Sequence, residues 1–257
     1  MTAISAATIP SFSLAGKRAL ITGASRGIGL AAAQALAAFG AHVTLAARPS
    51  MDLDAAVAGL VAAGHGAEAL ELDVTDTARV RTLIAAREPY DILINNAGIN
   101  YPVTFLDVTE DQYDAIMTLN VRASYFVAQA VAAKLVATGR PGSIINISSQ
   151  MGHVGAAIRT VYCASKWAIE GLTKAMAVDL APHGIRVNTL GPTFVETPLA
   201  SKFLADETFK RQVLSKIKLG RVGQVGDLTG AIVFLASDAS SLMTGSSIVV
   251  DGGWTAD

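Results

Sequence analysis

The stretch "TGASRGIG", Thr22–Gly29, decides the fold. The apolar, strand-like "RALIT" leads into it, and an alanine-rich run with helical character follows. Its glycines stand in a G-x-x-x-G-x-G spacing. A helix N-terminus with few side chains in the way offers its backbone N–H groups to a phosphate. Gly23 suits a tight turn, Gly27 a close backbone approach to a pyrophosphate, and Gly29 close packing of the helix on the sheet. Alone, the spacing also fits an ordinary strand-to-helix turn.

The surroundings decide between these readings. Strand-like runs alternate with helical patterns: "RALIT", a helix over about 28–39, "HVTLAA", a helix over 53–63, "AEALELDV", a helix over 77–86, and "DILINNAG". A long helix then opens at "TEDQ", where Thr109 and Gln112 have capping-box spacing. "GSIINISS", a helix over 160–180, "IRVNTL", a helical region over 198–237 and "SSIVVDGG" complete the order. Nearly all-apolar strands belong to a sheet covered on both faces. The alternation predicts a doubly wound α/β (Rossmann) domain with a parallel sheet of about seven strands. Residues 1–16 read as a loosely held tail, and residues 17–257 as a single domain.

Composition limits the function classes. The chain has 257 residues, 51% of them hydrophobic, and a net charge of −1. That balance disfavours disorder and a nucleic-acid or membrane-surface partner. The single cysteine, Cys163, rules out an internal disulfide framework and suits a reducing compartment. Four scattered histidines lack metal-ligand spacing, so no catalytic metal is expected. The N-terminal residues lack signal-peptide character, and Gly29–Ala47 reads as a helix followed by a strand rather than a membrane span. A cytoplasmic protein is the expectation.

"TGASRGIG", "NNAG" at Asn95–Gly98 and "YCASK" at Tyr162–Lys166 together resemble the short-chain dehydrogenase/reductase family, with gluconate 5-dehydrogenase-like and 3-oxoacyl-acyl-carrier-protein reductase-like members in view. The resemblance spans about Gly16–Trp254 and implies a nicotinamide-dependent ketone/secondary-alcohol oxidoreductase. Tyr162 and Lys166 are four apart and share a helix face. A nearby ammonium favours a phenolate and should lower the tyrosine pKa towards working pH. By resemblance Tyr162 transfers the proton, Lys166 also bonds the nicotinamide ribose, Ser149 holds the substrate oxygen, and Asn120 binds a proton-relay water. Ser148, next to Ser149, should point to the other side of its strand.

The resemblance also implies a cofactor set: Gly23, Ser25, Arg26, Gly27, Ile28 and Gly29 in the loop, then Asp73 and Val74 at the adenine. Asp73 also reads as a helix cap in "DVTD". Asn96, Ala97 and Gly98, then Pro192, Val195 and Thr197, continue the set, with Asn95 and Asn96 supporting the sheet. The family's usual Pro-Gly is Pro192-Thr193 here, which alters the loop beside the nicotinamide. The second strand ends in Ala47 rather than an acid. Arg48 and Arg26 nearby suit a 2′-phosphate, which favours NADP(H), with NAD(H) the alternative. Residues 198–219 should form a substrate lid.

Gln150, Met151, His153 and Arg159 are candidate pocket residues, or rim and structural residues instead. In the pocket they favour a polar or anionic substrate such as a keto-sugar acid. A 3-oxoacyl thioester and a small cyclic ketone stay open. Against a non-catalytic dinucleotide scaffold stands the intact serine, tyrosine and lysine. A methyltransferase has no use for Tyr162 and Lys166. The glycine spacing disfavours an epimerase, and the short Tyr-to-Lys spacing an enoyl reductase. Segments 121–136 and 168–180 are apolar on more than one face, and the resemblance implies helices there packing about a two-fold axis in a homotetramer.

Overall fold

The computed structural model describes residues 10–256. Seven parallel strands form one sheet in the order β3-β2-β1-β4-β5-β6-β7. They are β1 Arg18–Thr22, β2 His42–Ala47, β3 Ala67–Glu71, β4 Ile92–Asn95, β5 Gly142–Ile147, β6 Ile185–Pro192 and β7 Ser247–Val250. The chain reverses direction across the sheet between β1 and β4, and the crevice at their carboxyl ends is where such folds bind ligands. The glycine loop leaves β1 there, and Asn95–Gly98 leaves β4 beside it.

Both sheet faces are covered. On one, Ile21, Val43, Leu45, Ile94 and Ile145 pack against α1 (Gly27–Ala38), α2 (Met51–Ala62) and α9 (Gly226–Ala236). On the other, Leu20, Leu93, Ile144 and Val187 pack against α3 (Thr77–Ala85), α5 (Ser124–Ala137) and α6 (Thr160–Leu180). Between α3 and α5 lies α4 (Glu110–Met117), and between β6 and α9 lie α7 (Pro198–Leu204) and α8 (Glu207–Lys216). Alternate strand residues therefore feed two cores, which is why the strands read as continuous apolar runs. Gly29–Ala47 is the helix and strand expected, and among the described residues no helix is long and apolar enough to cross a membrane.

Three expectations need adjustment. The helix opening at "TEDQ" is not continuous. Its capping box forms at Thr109, but a π-helical turn over Thr118–Ala123 separates α4 from α5. The helical region over 198–237 is three helices. Asp206 caps α8, its carboxylate accepting from the backbone N–H groups of Thr208 and Phe209. Of the expected tail, residues 1–9 lie outside the described residues, and Leu14 is not loosely held. It is fully buried in the first core, and its N–H donates to Phe39 O at 2.8 Å.

Candidate active site

β5 ends at the carboxyl edge of the sheet and delivers Ser149 there, while α6 returns past it with Tyr162 and Lys166 on one face. The Tyr162 hydroxyl faces the Ser149 hydroxyl, close enough for Ser149 to favour the phenolate. Ser149 is held from the other side: Oγ donates to Gln150 Oε1 at 2.7 Å and accepts from Met151 N at 3.1 Å. Ser148 points away, its Oγ lying over Gly152 on the side of Glu170 and the Lys166 carbonyl. Lys166 is buried, its Nζ 5.5 Å from the Tyr162 ring centre and donating to Ile147 O at 2.8 Å.

The electrostatics depart from expectation at the phenol. Tyr162 is pushed up, not down, because burial outweighs the favourable influence of the Ser149 hydroxyl and the Arg159 charge. The phenol therefore rests protonated, the form a proton donor needs. Lys166 carries the depressed pKa instead, lowered to about 8 by burial and partly restored by Glu170. Glu170 lies one turn beyond Lys166. Its Oε2 accepts from Thr189 Oγ1 at 2.9 Å, and Oε1 lies 3.4 Å from His153 Nε2.

Asn120 sits in the π-helical turn and clasps the chain after β4. Its Oδ1 accepts from Ile99 N at 2.8 Å, and Nδ2 donates to Ile99 O at 2.9 Å and to Ser165 Oγ at 3.1 Å. Such turns concentrate at functional sites. This clasp ties the loop after β4 to α6.

The residues of the glycine loop fit a dinucleotide. Gly23 and Gly27 adopt φ of +64° and +58°, which side-chain-bearing residues rarely adopt. A Cβ on Gly29 would lie 2.4 Å from Gly23 O, and one on Gly27 would touch Thr197 at 3.4 Å. Arg26 is the N-cap of α1 and makes no side-chain cap bond, so Ile28 and the first-turn amides remain available to a phosphate. The Thr22 hydroxyl accepts from Asn96 N and Ala97 N at 3.0 and 3.1 Å. Asn96 Nδ2 donates to the carbonyls of Thr22 and Gly23 and so holds the loop. Asn95 supports the sheet, donating to Asn146 Oδ1 at 3.0 Å. Gly98 lies against Asn120, where a Cβ would meet Oδ1 at 3.2 Å.

Farther along the crevice, Asp73 Oδ1 accepts from both the N–H and the hydroxyl of Thr75 in an Asx turn. The α3 cap is Asp76, not Asp73, and Val74 is buried. Arg48 is exposed, with Asp73 close enough that its charge helps lower that carboxyl. Arg26 lies 3.6 Å from Asp52. Pro192, which ends β6, and Val195 beyond it are buried, and Val195 bridges to Gly223. Thr193, standing for the family's glycine, has a buried Oγ1 with no hydrogen-bond partner among the described residues. A polar group of a nicotinamide end would satisfy it.

The four candidate pocket residues separate. Gln150 supports Ser149, and Met151 is buried beside it. His153 turns away to Glu170 and to Ser247 Oγ at 3.1 Å, which gives it a supporting place behind Lys166 rather than a pocket one. Arg159 is on the Tyr162 side and buried. Sequence reading missed Glu170, whose i,i+4 spacing from Lys166 was the available signal. It also passed over Phe194 and Phe209, whose proximity arises only in the folded chain.

A family model described as enoyl-(acyl carrier protein) reductase matches residues 23–255. An L-xylulose reductase of Bos taurus is 42% identical over 243 residues, covering 95% of this chain and 98% of its own. The chain belongs to the short-chain dehydrogenase/reductase family. A gluconate 5-dehydrogenase of Gluconobacter oxydans is 44% identical over 248 residues, covering 95% of this chain and 96% of its own. The crystal structure of a gluconate 5-dehydrogenase from Burkholderia cenocepacia, in complex with NADP and tartrate, superposes with a TM-score of 0.92 at 38% identity, covering 96% of this chain and 98% of that one. As a family member, this chain is an oxidoreductase acting on CH–OH groups with a nicotinamide cofactor.

Proposed function

We propose that this chain interconverts a ketone and a secondary alcohol on a keto-sugar or sugar-acid substrate, with NADP(H) as the favoured cofactor. The convergence of the Tyr162 and Ser149 hydroxyls, with Lys166 buried behind them and anchored to Ile147 O, carries the reading. NADPH supplies the hydride when bound. Ser149 Oγ, held by the Met151 N–H, turns its one proton from Gln150 Oε1 to the carbonyl oxygen and so orients it. Tyr162 donates the proton to that oxygen. Lys166 places a positive charge beside the phenol as it loses that proton. Asn120 holds Ile99 and Ser165 and positions the water that returns a proton towards Lys166. The glycine loop holds the pyrophosphate, Arg48 and Arg26 the 2′-phosphate, Asp73 and Val74 the adenine, and Pro192, Val195 and Thr197 the nicotinamide side.

The polyol class is supported by the relatives, which are named for L-xylulose and gluconate, and by the tartrate in the Burkholderia structure. α7 and α8 form the lid over this site. The enzyme is a cytoplasmic homotetramer, supported by exposed Tyr125, Trp167 and Val178 on α5 and α6. The test is reduction of a keto-gluconate, L-xylulose, a 3-oxoacyl thioester and a cyclic ketone, each with NADPH and NADH, on enzyme whose mass is fixed by light scattering. Faster turnover of the keto-sugars with NADPH is expected. Turnover confined to the thioester or the cyclic ketone would replace the substrate assignment.

A further inference from the structure

Arg159 is the N-cap residue of α6, one helical turn before Tyr162, and is 3% exposed. Its guanidinium lies over two aromatic rings, 6.0 Å from the centre of Phe194 and 5.8 Å from that of Phe209. Those rings meet edge to face at 5.6 Å, and Trp254 packs on Phe194 at 5.9 Å. Phe194 belongs to the loop after β6 and Phe209 to α8, so the cation stands between the catalytic helix and the lid.

The backbone just before it is unusual. Ile158 has φ of +54°, the one positive value at a non-glycine position among the described residues. A β-branched residue rarely adopts that conformation, and such outliers gather where a neighbouring group must be aimed. Ile158 O accepts from Val103 N at 3.1 Å, which ties the turn to the loop after β4.

Aromatic faces hold a guanidinium without cancelling its charge. Its N–H groups lie in the plane of the fork, the geometry that takes a carboxylate through two parallel hydrogen bonds. We propose that Arg159 binds the carboxylate of the substrate, so that the enzyme selects sugar acids over neutral sugars and polyols. The inference rests on the assignment of Ser149 and Tyr162 as the pair that holds the reacting oxygen. With that oxygen between them, the spacing of one helical turn puts Arg159 within reach of a carboxylate several carbons along the same open chain.

The test uses two polyols of equal length, D-gluconate and D-sorbitol, which differ at the carboxylate. Oxidation of each with NADP⁺ is measured for wild type, Arg159→Met and Arg159→Lys. The ratio of kcat/KM for gluconate over sorbitol should fall about 10- to 100-fold in Arg159→Met, the size of a charge-assisted hydrogen-bonded pair. The loss should lie mainly in KM, with partial recovery in Arg159→Lys. Equal losses on both polyols would overturn the inference, because Arg159 would then act on Tyr162 or on the fold alone. Calorimetric titration of D-gluconate into the same proteins separates the two readings. If neither polyol is oxidised but gluconate binding depends on Arg159, the carboxylate site stands and the proposed reaction fails. Equal gluconate binding by wild type and Arg159→Met overturns the site.

Discussion

The two ends of the cofactor crevice are built by opposite means. At the nicotinamide end the side chains of Ser149 and Lys166 are buried and hydrogen-bonded. Ser149 is bonded on both sides, Lys166 is anchored to Ile147 O, and Glu170 stands behind the ammonium. At the adenosine end, Arg48 is exposed and Arg26 and Asp52 have side chains 68% and 60% exposed. Chemistry needs groups that do not reorganise as charge develops, so that end is built into the core. Cofactor choice needs only a local balance of charge, which surface residues can set and solvent can weaken.

The largest test of this contrast is Tyr162→Phe. The ring packing survives and the proton donor is lost. Turnover should fall about 10²- to 10⁴-fold with cofactor affinity kept, measured by steady-state kinetics and by NADPH titration. Near-wild-type turnover would remove Tyr162 from the mechanism.

The same contrast explains what could be read from the residues alone. Buried strands repeat apolar residues, the glycine loop needs positive φ at fixed positions, and Tyr162 and Lys166 share a face through local helical geometry. These are local constraints, and they left local traces. The π-helical turn at Asn120 left little trace, because it is stabilised by Ile99 from another element. The upward direction of the Tyr162 pKa was hidden for a related reason. Lysine spacing is visible in a sequence, whereas the burial that outweighs it is a property of the assembled crevice. His153 likewise meets Glu170 of α6 and Ser247 of β7, far from it in sequence, only in the folded chain. Phe194 and Phe209 are separated in sequence and meet only when the loop after β6 and α8 fold together.

A second, smaller test addresses the ammonium. Lys166 is lowered to about 8 by burial, and Glu170 opposes that lowering. Carbonyl reduction should therefore decline as pH rises through about 8, where the ammonium is lost. An anion favours a neighbouring cation, so removing it lowers the lysine further. Glu170→Gln keeps an acceptor for Thr189 and should move this alkaline limb towards acid by about half a pH unit. Around Lys166 stand the Tyr162 ring, Ile147 O and Glu170, with His153 on the far side of Glu170. A lower rate with an unmoved limb would make Glu170 a packing residue only.

The smallest effect is expected at the open end, and its size tests whether that end is tuned by charge balance. Arg26 lies 3.6 Å from Asp52, and the charge of Arg48 is felt at Asp73. A 2′-phosphate would compete with those acids for the same cations. Arg48→Ala should therefore reduce the NADPH-over-NADH ratio of kcat/KM by about tenfold. Asp52→Asn should act in the opposite direction, because it releases Arg26 from an ion pair. Exposed pairs are weak, so the gain should be about two- to fivefold. It should also shrink as salt is raised, since the groups are open to counter-ions. Measuring both variants at two ionic strengths separates this from a shape effect. A change of equal size at low and high salt would mean that Asp52 acts through the geometry of α2, at whose first turn it stands, rather than through the field at the ribose.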